Sequence, residues 1–222
     1  MPTIALVGAG RGLGAAVARR FGSEGFDLAL ISRNLERVTS LAADLTTEGY
    51  PARGYAANVR DPQSLAATLD QVTQDMGAIE TLVYAPLPQK EFLRPVLETT
   101  VQDLQGAIEF SVFGPVAAVH QVLQGMRTIG HGTILFINGG SAVRPTAPFA
   151  GTSIAFAGES AYARMLHDAL APEHIYVGQL IIPGAISEGH PEKDPGTLAD
   201  KLWGMHVERK QFRVFAEPMD LD

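Results

Sequence analysis

The sequence predicts one α/β domain with a doubly wound, mostly parallel sheet of about seven strands. Three observations carry this. Short apolar runs of strand length alternate with amphipathic stretches of helix length along the chain. The first apolar run leads straight into a glycine-rich turn, Gly8-Ala9-Gly10-Arg11-Gly12-Leu13-Gly14, and that turn into a helical pattern. The 222 residues, 46% hydrophobic and 18% charged, suit a single domain (1–222) with a substantial core.

The elements follow in order. Residues 4–7 form a buried strand, and residues 12–23 a helix with Leu13, Val17 and Phe21 on one face. Residues 26–31 are a second buried strand, followed by a helix over 34–47 that Gly49 ends. Residues 51–57 make a weaker third strand. Asp61-Pro62 opens the next helix, with the aspartate as N-cap and the proline at the first helical position, where its missing N–H loses no bond. Residues 79–84 are a fourth strand, and 99–127 a long helical stretch with a kink expected at Gly114-Pro115. Then come a strand at 133–137, a helix at 153–170, a strand at 175–182, a short helix at 198–206 and a last strand at 212–215. The loops at 86–95, 139–151 and 183–195 leave the carboxyl ends of strands, where a parallel sheet places its ligands.

Composition excludes several chemistries. There is no cysteine, so disulfides, thiolate nucleophiles and cysteine-ligated zinc are out. The six histidines show no metal-ligand spacing, and no metal site is expected. A formal net charge of -7 argues against nucleic acid as a partner. The opening Met1-Pro2-Thr3-Ile4 has no basic n-region, and no apolar run is read as approaching the roughly 20 residues that span a bilayer. A cytoplasmic location without a membrane partner is the expectation.

The glycine-rich turn is the strongest chemical signal. A helix N-terminus presents free N–H groups and a partial positive charge to phosphate. Gly8 permits the tight turn, Gly12 lets backbone approach a pyrophosphate, and Gly14 lets helix and strand pack closely. The spacing is G-x-x-x-G-x-G, and Leu13 takes the sixth place of a G-x-G-x-x-G. A Rossmann-like site for a dinucleotide is therefore expected. The second strand ends Ile31-Ser32-Arg33-Asn34, with arginine where an NAD-selective site carries a carboxylate for the ribose 2′-OH. Arg33, with Arg11 approaching from the turn, favours the 2′-phosphate, so NADP(H) is preferred over NAD(H). The competing Glu36 lies in a first helical turn, where acids are favoured anyway.

Together these residues resemble the short-chain dehydrogenase/reductase superfamily over nearly the whole chain. Val7-Gly8-x-x-x-Gly12-x-Gly14 is similar to that family's cofactor turn. Ala57-Asn58-Val59 is similar to its adenine-contacting element, Tyr84-Ala85-Pro86 stands at its Asn-Ala-Gly element, and Pro183-Gly184 resembles its nicotinamide-contacting Pro-Gly. The cofactor-binding set so implied is Gly8, Gly10, Arg11, Gly12, Leu13, Gly14, Ser32, Arg33, Asn34, Asn58, Val59, Tyr84, Ala85, Pro183 and Gly184. The family's catalytic residues are Ser, Tyr-x-x-x-Lys on one helix, and an Asn on the long helix. With Pro148 and Ala155 aligned, these fall on Gly140, Ser153, Ala157 and Ser111, and none is kept. The four-residue spacing matters because tyrosine and lysine then share a helix face, and the cation favours tyrosinate. Tyr162 lies nine residues past Ser153, about two and a half turns on, and faces away. Tyr84, Ser141 and Ser153 remain as catalytic candidates at the mouth, with Arg144 beside them. His190 is read as an exposed loop residue.

Two functions stay open. One is a short-chain-type NADP(H)-linked oxidoreductase acting on an unidentified carbonyl or alcohol with a degenerate catalytic motif. The other is an NADP(H)-binding regulatory or structural module without turnover. The resemblance further implies a homodimer or homotetramer built through the long helices at 99–127 and 153–170.

Overall fold

The computed structural model describes residues 1–220. Its strands are β1 (Thr3–Val7), β2 (Asp27–Ser32), β3 (Ala52–Ala56), β4 (Ile79–Tyr84), β5 (Gly132–Gly139), β6 (Ile175–Ile182) and β7 (Arg213–Phe215). They form one sheet in the order β3-β2-β1-β4-β5-β6-β7, and every pairing is parallel. The chain runs outward in one direction from β1 and in the other from β4. The switch between these two strands opens a crevice at their carboxyl ends.

Strand alternation sorts side chains into two cores. Ile4 and Leu6 join the core with α1 (Leu13–Gly22), α2 (Leu35–Thr47) and α7 (Pro195–Glu208). Ala5 and Val7 join the other, with α3 (Pro62–Met76), α5 (Gly114–Ile129) and α6 (Ala150–Leu170). Both faces of the central strands are thus covered, which is why β1 and β6 are buried along their whole length.

The helix starts follow local chemistry. Asp61 Oδ1 accepts from the N–H groups of Gln63 (3.1 Å) and Ser64 (3.0 Å), and Asn34 Oδ1 accepts from Arg37 N–H (2.9 Å). Helix α7 begins at Pro195, earlier than the apolar pattern indicates, because Asp194-Pro195 repeats the Asp61-Pro62 device. Helix α6 likewise begins three residues before Ser153.

The expected kink at Gly114-Pro115 is replaced by a different device. Helix α4 (Val101–Ile108) runs through a π-helical turn at Glu109–Phe113 directly into α5. The wide turn absorbs the proline, whose ring and missing N–H would break a tighter ladder. Gly114 is required there, since a Cβ would collide with Tyr84 Oη and with Val59 O at 2.6 Å. An 18-residue window of the combined helix Val101–Ile129 has a mean hydropathy of 1.3, so the helix is long and apolar enough to cross a bilayer, which corrects the reading that no stretch is. Half of that window is buried, packed against α3, β4 and α6.

Candidate functional site

A cleft of about 580 Å³ lies at the carboxyl ends of β1, β4, β5 and β6. The glycine-rich turn forms one end. Asn138, Gly139, Phe156, Gly184 and Ile186 form the other.

The turn hangs from β2: the N–H groups of Gly8 and Ala9 both donate to Ile31 O, at 2.9 and 3.0 Å. Gly8 has φ +92°, and a Cβ there would sit 2.5 Å from Pro86 Cα. A Cβ at Gly14 would approach Ala9 Cα to 3.0 Å, so helix and turn pack as closely as backbone allows. Gly12 behaves differently. It is the N-cap of α1, no side chain caps the helix, and a Cβ there would meet nothing within 4 Å. The first turn of α1 therefore faces open cleft with its N–H groups uncapped by side chains, the arrangement that seats a phosphate.

Around this end stand the residues expected to choose the cofactor. Arg33 is exposed and its guanidinium has no partner among the described residues. Arg11 is engaged with α2, pairing with Asp44 at 3.0 Å and Ser40 at 3.1 Å, on an exposed surface where such pairs are worth little. Arg37, exposed one turn past Arg33, adds a third cation that the sequence reading passed over. Ser32 Oγ donates to Asn34 O (3.2 Å), and Asn34 caps α2. Asn58 is exposed, its Oδ1 accepting from Arg60 N–H. Val59 packs its side chain into the core. Gly10, Leu13 and Ala85 line the cleft; Pro183 is half-buried beside it.

The catalytic candidates do not gather at the cleft. Tyr84 is 1% exposed, and its hydroxyl donates to Phe110 O at 2.6 Å. Burial, with the nearby Glu159 adding to it, holds that phenol well above its ordinary value. The reason is strand alternation: Val83 and Ala85 line the cleft, and Tyr84 between them points to the opposite face. Ser153 is buried, its Oγ accepting from Thr146 N–H at 3.1 Å, so it ties down a loop. Ser141 is half-buried in the turn Gly140–Ala142, outside the cleft lining. Arg144 donates to Asp220 O at 3.4 Å, and His190 Nδ1 accepts from the backbone of Glu192 and Lys193.

The family register is also displaced. Ala157 is exposed, away from the cleft, whereas Phe156 lines it and packs its ring on Gly139. The residue one turn earlier on that face is Thr152, whose hydroxyl donates to Phe149 O. Gly140 is covered by Met219 and leaves Gly139 as the position facing the cleft. Tyr162 packs against Phe136, its buried hydroxyl without a hydrogen-bond partner among the described residues.

One titratable group escaped the sequence reading. Glu159 on α6 is 1% exposed. Burial pushes its carboxyl up to about 8, against the opposing pull of the neighbouring Asn138 and Ser111 side chains. Asn138 lines the cleft and accepts from Gln179 Nε2 at 2.8 Å; Arg213 donates to Gln179 Oε1 (2.9 Å) and Ser160 Oγ (2.8 Å). Ser111 sits in the π-helical turn. The available signal was a lone carboxylate three residues past Phe156, on the apolar face of α6.

Comparison with known proteins places the chain. Residues 2–194 match the family described as short chain dehydrogenase. The short-chain reductase protein NovJ of Streptomyces niveus is 28% identical over 203 residues, which cover 91% of this chain and 74% of that protein. D-threitol dehydrogenase of Mycolicibacterium smegmatis is 32% identical over 133 residues, and the chain spans only 50% of its length. Among solved structures, a short-chain dehydrogenase from Rhodopseudomonas palustris has a TM-score of 0.86 at 24% identity, covering 98% of this chain and 99% of that one. A metagenomic short-chain oxidoreductase in complex with NADP has a TM-score of 0.85 at 20% identity, covering 98% and 97%.

Proposed function

The chain belongs to the short chain dehydrogenase family, and from that premise we propose that it is an oxidoreductase that binds NADP(H) in the cleft and lacks the family's tyrosine–lysine proton relay. The observation that carries the reading is the uncapped N-terminus of α1 at Gly12, opening on the cleft at the switch between β1 and β4. Bound NADP(H) would supply or accept hydride. The chain's own residues seat the pyrophosphate on the first turn of α1, present Arg33 and Arg37 to a 2′-phosphate, and offer Asn138, Gly139 and Phe156 as the wall beside the substrate. The NADP complex of the metagenomic oxidoreductase supports the choice of cofactor. The substrate is an unassigned carbonyl or alcohol.

Titration of wild type and Arg33→Ala with NADPH and NADH tests the cofactor choice. A charge-assisted hydrogen bond to phosphate is worth about 1.5–3 kcal/mol, so Arg33→Ala weakens NADPH by roughly tenfold or more and leaves NADH unchanged. Equal wild-type affinities for the two cofactors would remove the claim.

A second reading, a cofactor-binding module without turnover, is favoured by the occupancy of the relay face: Thr152 and Phe156 stand where the cleft wall would need a phenol and an ammonium. Turnover on a panel of carbonyls separates the two. The double variant Thr152→Tyr with Phe156→Lys rebuilds a one-turn pair on that face, and gains turnover if the cleft admits a carbonyl beside the nicotinamide.

A further inference from the structure

Glu159 is a buried carboxyl in a fold whose family places a cation on the same helix face. It lies one turn past Phe156, behind Asn138, and both of those residues line the cleft. Neither Glu159 Oε1 nor Asn138 Nδ2 has a partner with hydrogen-bond geometry among the described residues. The groups that face the carboxyl are few. Asn138 comes from β5, Ser111 from the π-helical turn, and Tyr84 from β4. Tyr162, on α6 itself, keeps its hydroxyl buried and unpartnered. The nearest cation in this network, Arg213 on β7, is held two hydrogen bonds beyond Asn138 by Gln179 and Ser160. Among the described residues the carboxyl therefore has no ion-pair partner, and its polar neighbour toward the cleft is Asn138.

The location matters because of what the cleft would hold. With the pyrophosphate on α1 and the 2′-phosphate beside β2, the nicotinamide ring would lie toward the other end, where Asn138, Gly139 and Gly184 line the cleft. That ring is neutral when reduced and carries a positive charge when oxidised. A carboxyl buried behind the ring wall feels the difference, since opposite charge favours its ionised form.

We propose that Glu159 is the residue that distinguishes the oxidised from the reduced cofactor, remaining protonated beside the neutral ring and giving up its proton when the cationic ring occupies the cleft. The proposal rests on the cofactor reading above. Glu159 acts through Asn138 and the ring's charge, as a positioning residue with a proton attached. Linkage fixes the sign. Below the carboxyl's own titration, binding of the oxidised form releases a proton, and its affinity rises with pH until the carboxyl is ionised without help. Each unit by which the ring cation lowers the carboxyl's titration is a tenfold gain in oxidised-cofactor affinity across that range.

The experiment is calorimetric titration of the whole protein with NADP⁺ and with NADPH, from pH 6 to 9, in buffers of different ionisation enthalpy. For a one-unit fall, NADP⁺ binding releases roughly half a proton near pH 7.5 and tightens about tenfold over the range, relative to NADPH. The 2′-phosphate is common to both ligands, so its own titration cancels in the comparison. Glu159→Gln abolishes the difference while both forms still bind. Identical proton balances for the two forms in wild type overturn the proposal and leave the cofactor reading standing, as does a difference that survives in Glu159→Gln. Binding of neither form overturns both. The wild-type comparison decides even where the variant does not fold.

Discussion

Replacing Glu159 by Gln should change how stability depends on pH more than stability itself. The wild-type carboxyl titrates at about 8 in the folded protein, against 4.5 for a free glutamate, with burial as the leading cause. Between those values the folded state keeps a proton that the unfolded chain has lost. Stability contributed by this group is therefore full at acid pH and falls as pH rises, by up to about 1.4 kcal/mol per pH unit, until the folded carboxyl ionises near pH 8. From pH 5 to pH 8 the loss is roughly 3–4 kcal/mol, a large part of the 5–15 kcal/mol typical of a domain. Glutamine keeps the shape and an acceptor oxygen for Asn138 and Ser111, but never ionises. Urea unfolding of both proteins at pH 5, 7 and 9 measures the effect. The variant should match wild type within about 1 kcal/mol at pH 5 and exceed it by a few kcal/mol at pH 9. His206, which burial holds down to about 4, weakens the acid side of both proteins alike and cancels in the difference. Parallel stability curves across the range would refute the assignment of a buried, neutral carboxyl.

Three further outcomes follow from the site's geometry. Gly12→Val should abolish NADPH binding by calorimetry with an unchanged circular dichroism spectrum, because its side chain enters open cleft and collides with nothing of the protein near Cβ; retained binding would place the pyrophosphate elsewhere. Gly8→Ala should instead destabilise the fold by about 2–4 kcal/mol in urea unfolding, since φ +92° and Pro86 Cα at 2.5 Å both oppose a Cβ. Tyr84→Phe should cost about 1–2 kcal/mol through the lost bond to Phe110 O and leave NADPH affinity unchanged; a selective loss of carbonyl turnover at unchanged stability would show that the phenol reaches substrate after all.

Much of the frame was legible. Gly8, Gly12 and Gly14 differ in their physical duties as their spacing indicates, and Asp61-Pro62 begins a helix because both residues satisfy rules local to four residues. What escaped depends on non-local facts. Every residue of β4 from Thr81 to Tyr84 is buried, so hydropathy alone gives no hint that Val83 faces the cleft and Tyr84 the other core. The register of α6 shifts by one residue between the aligned pair Ser153 and Ala157 and the pair that faces inward, Thr152 and Phe156; a one-residue step turns a helix by about 100°. Gly114 itself is fixed by Tyr84 and Val59, distant in sequence, which leave no room for a Cβ. The burial of Glu159 depends on how α6 packs against the π-helical turn and β5, elements distant in sequence.

Strand β7 is only three residues long and lies at the sheet's edge, where such a strand would fray by itself. Arg213 prevents that through its fork to Gln179 and Ser160, and Gln179 in turn grips Asn138 in the cleft wall. A peripheral ribbon and the floor of the ligand site are thus one mechanical unit. The amide proton of Ala216, which donates to Ile181 O at 2.8 Å, should exchange with solvent as slowly as those of β5 and β6, so that whatever loosens the edge also loosens the grip on the ligand.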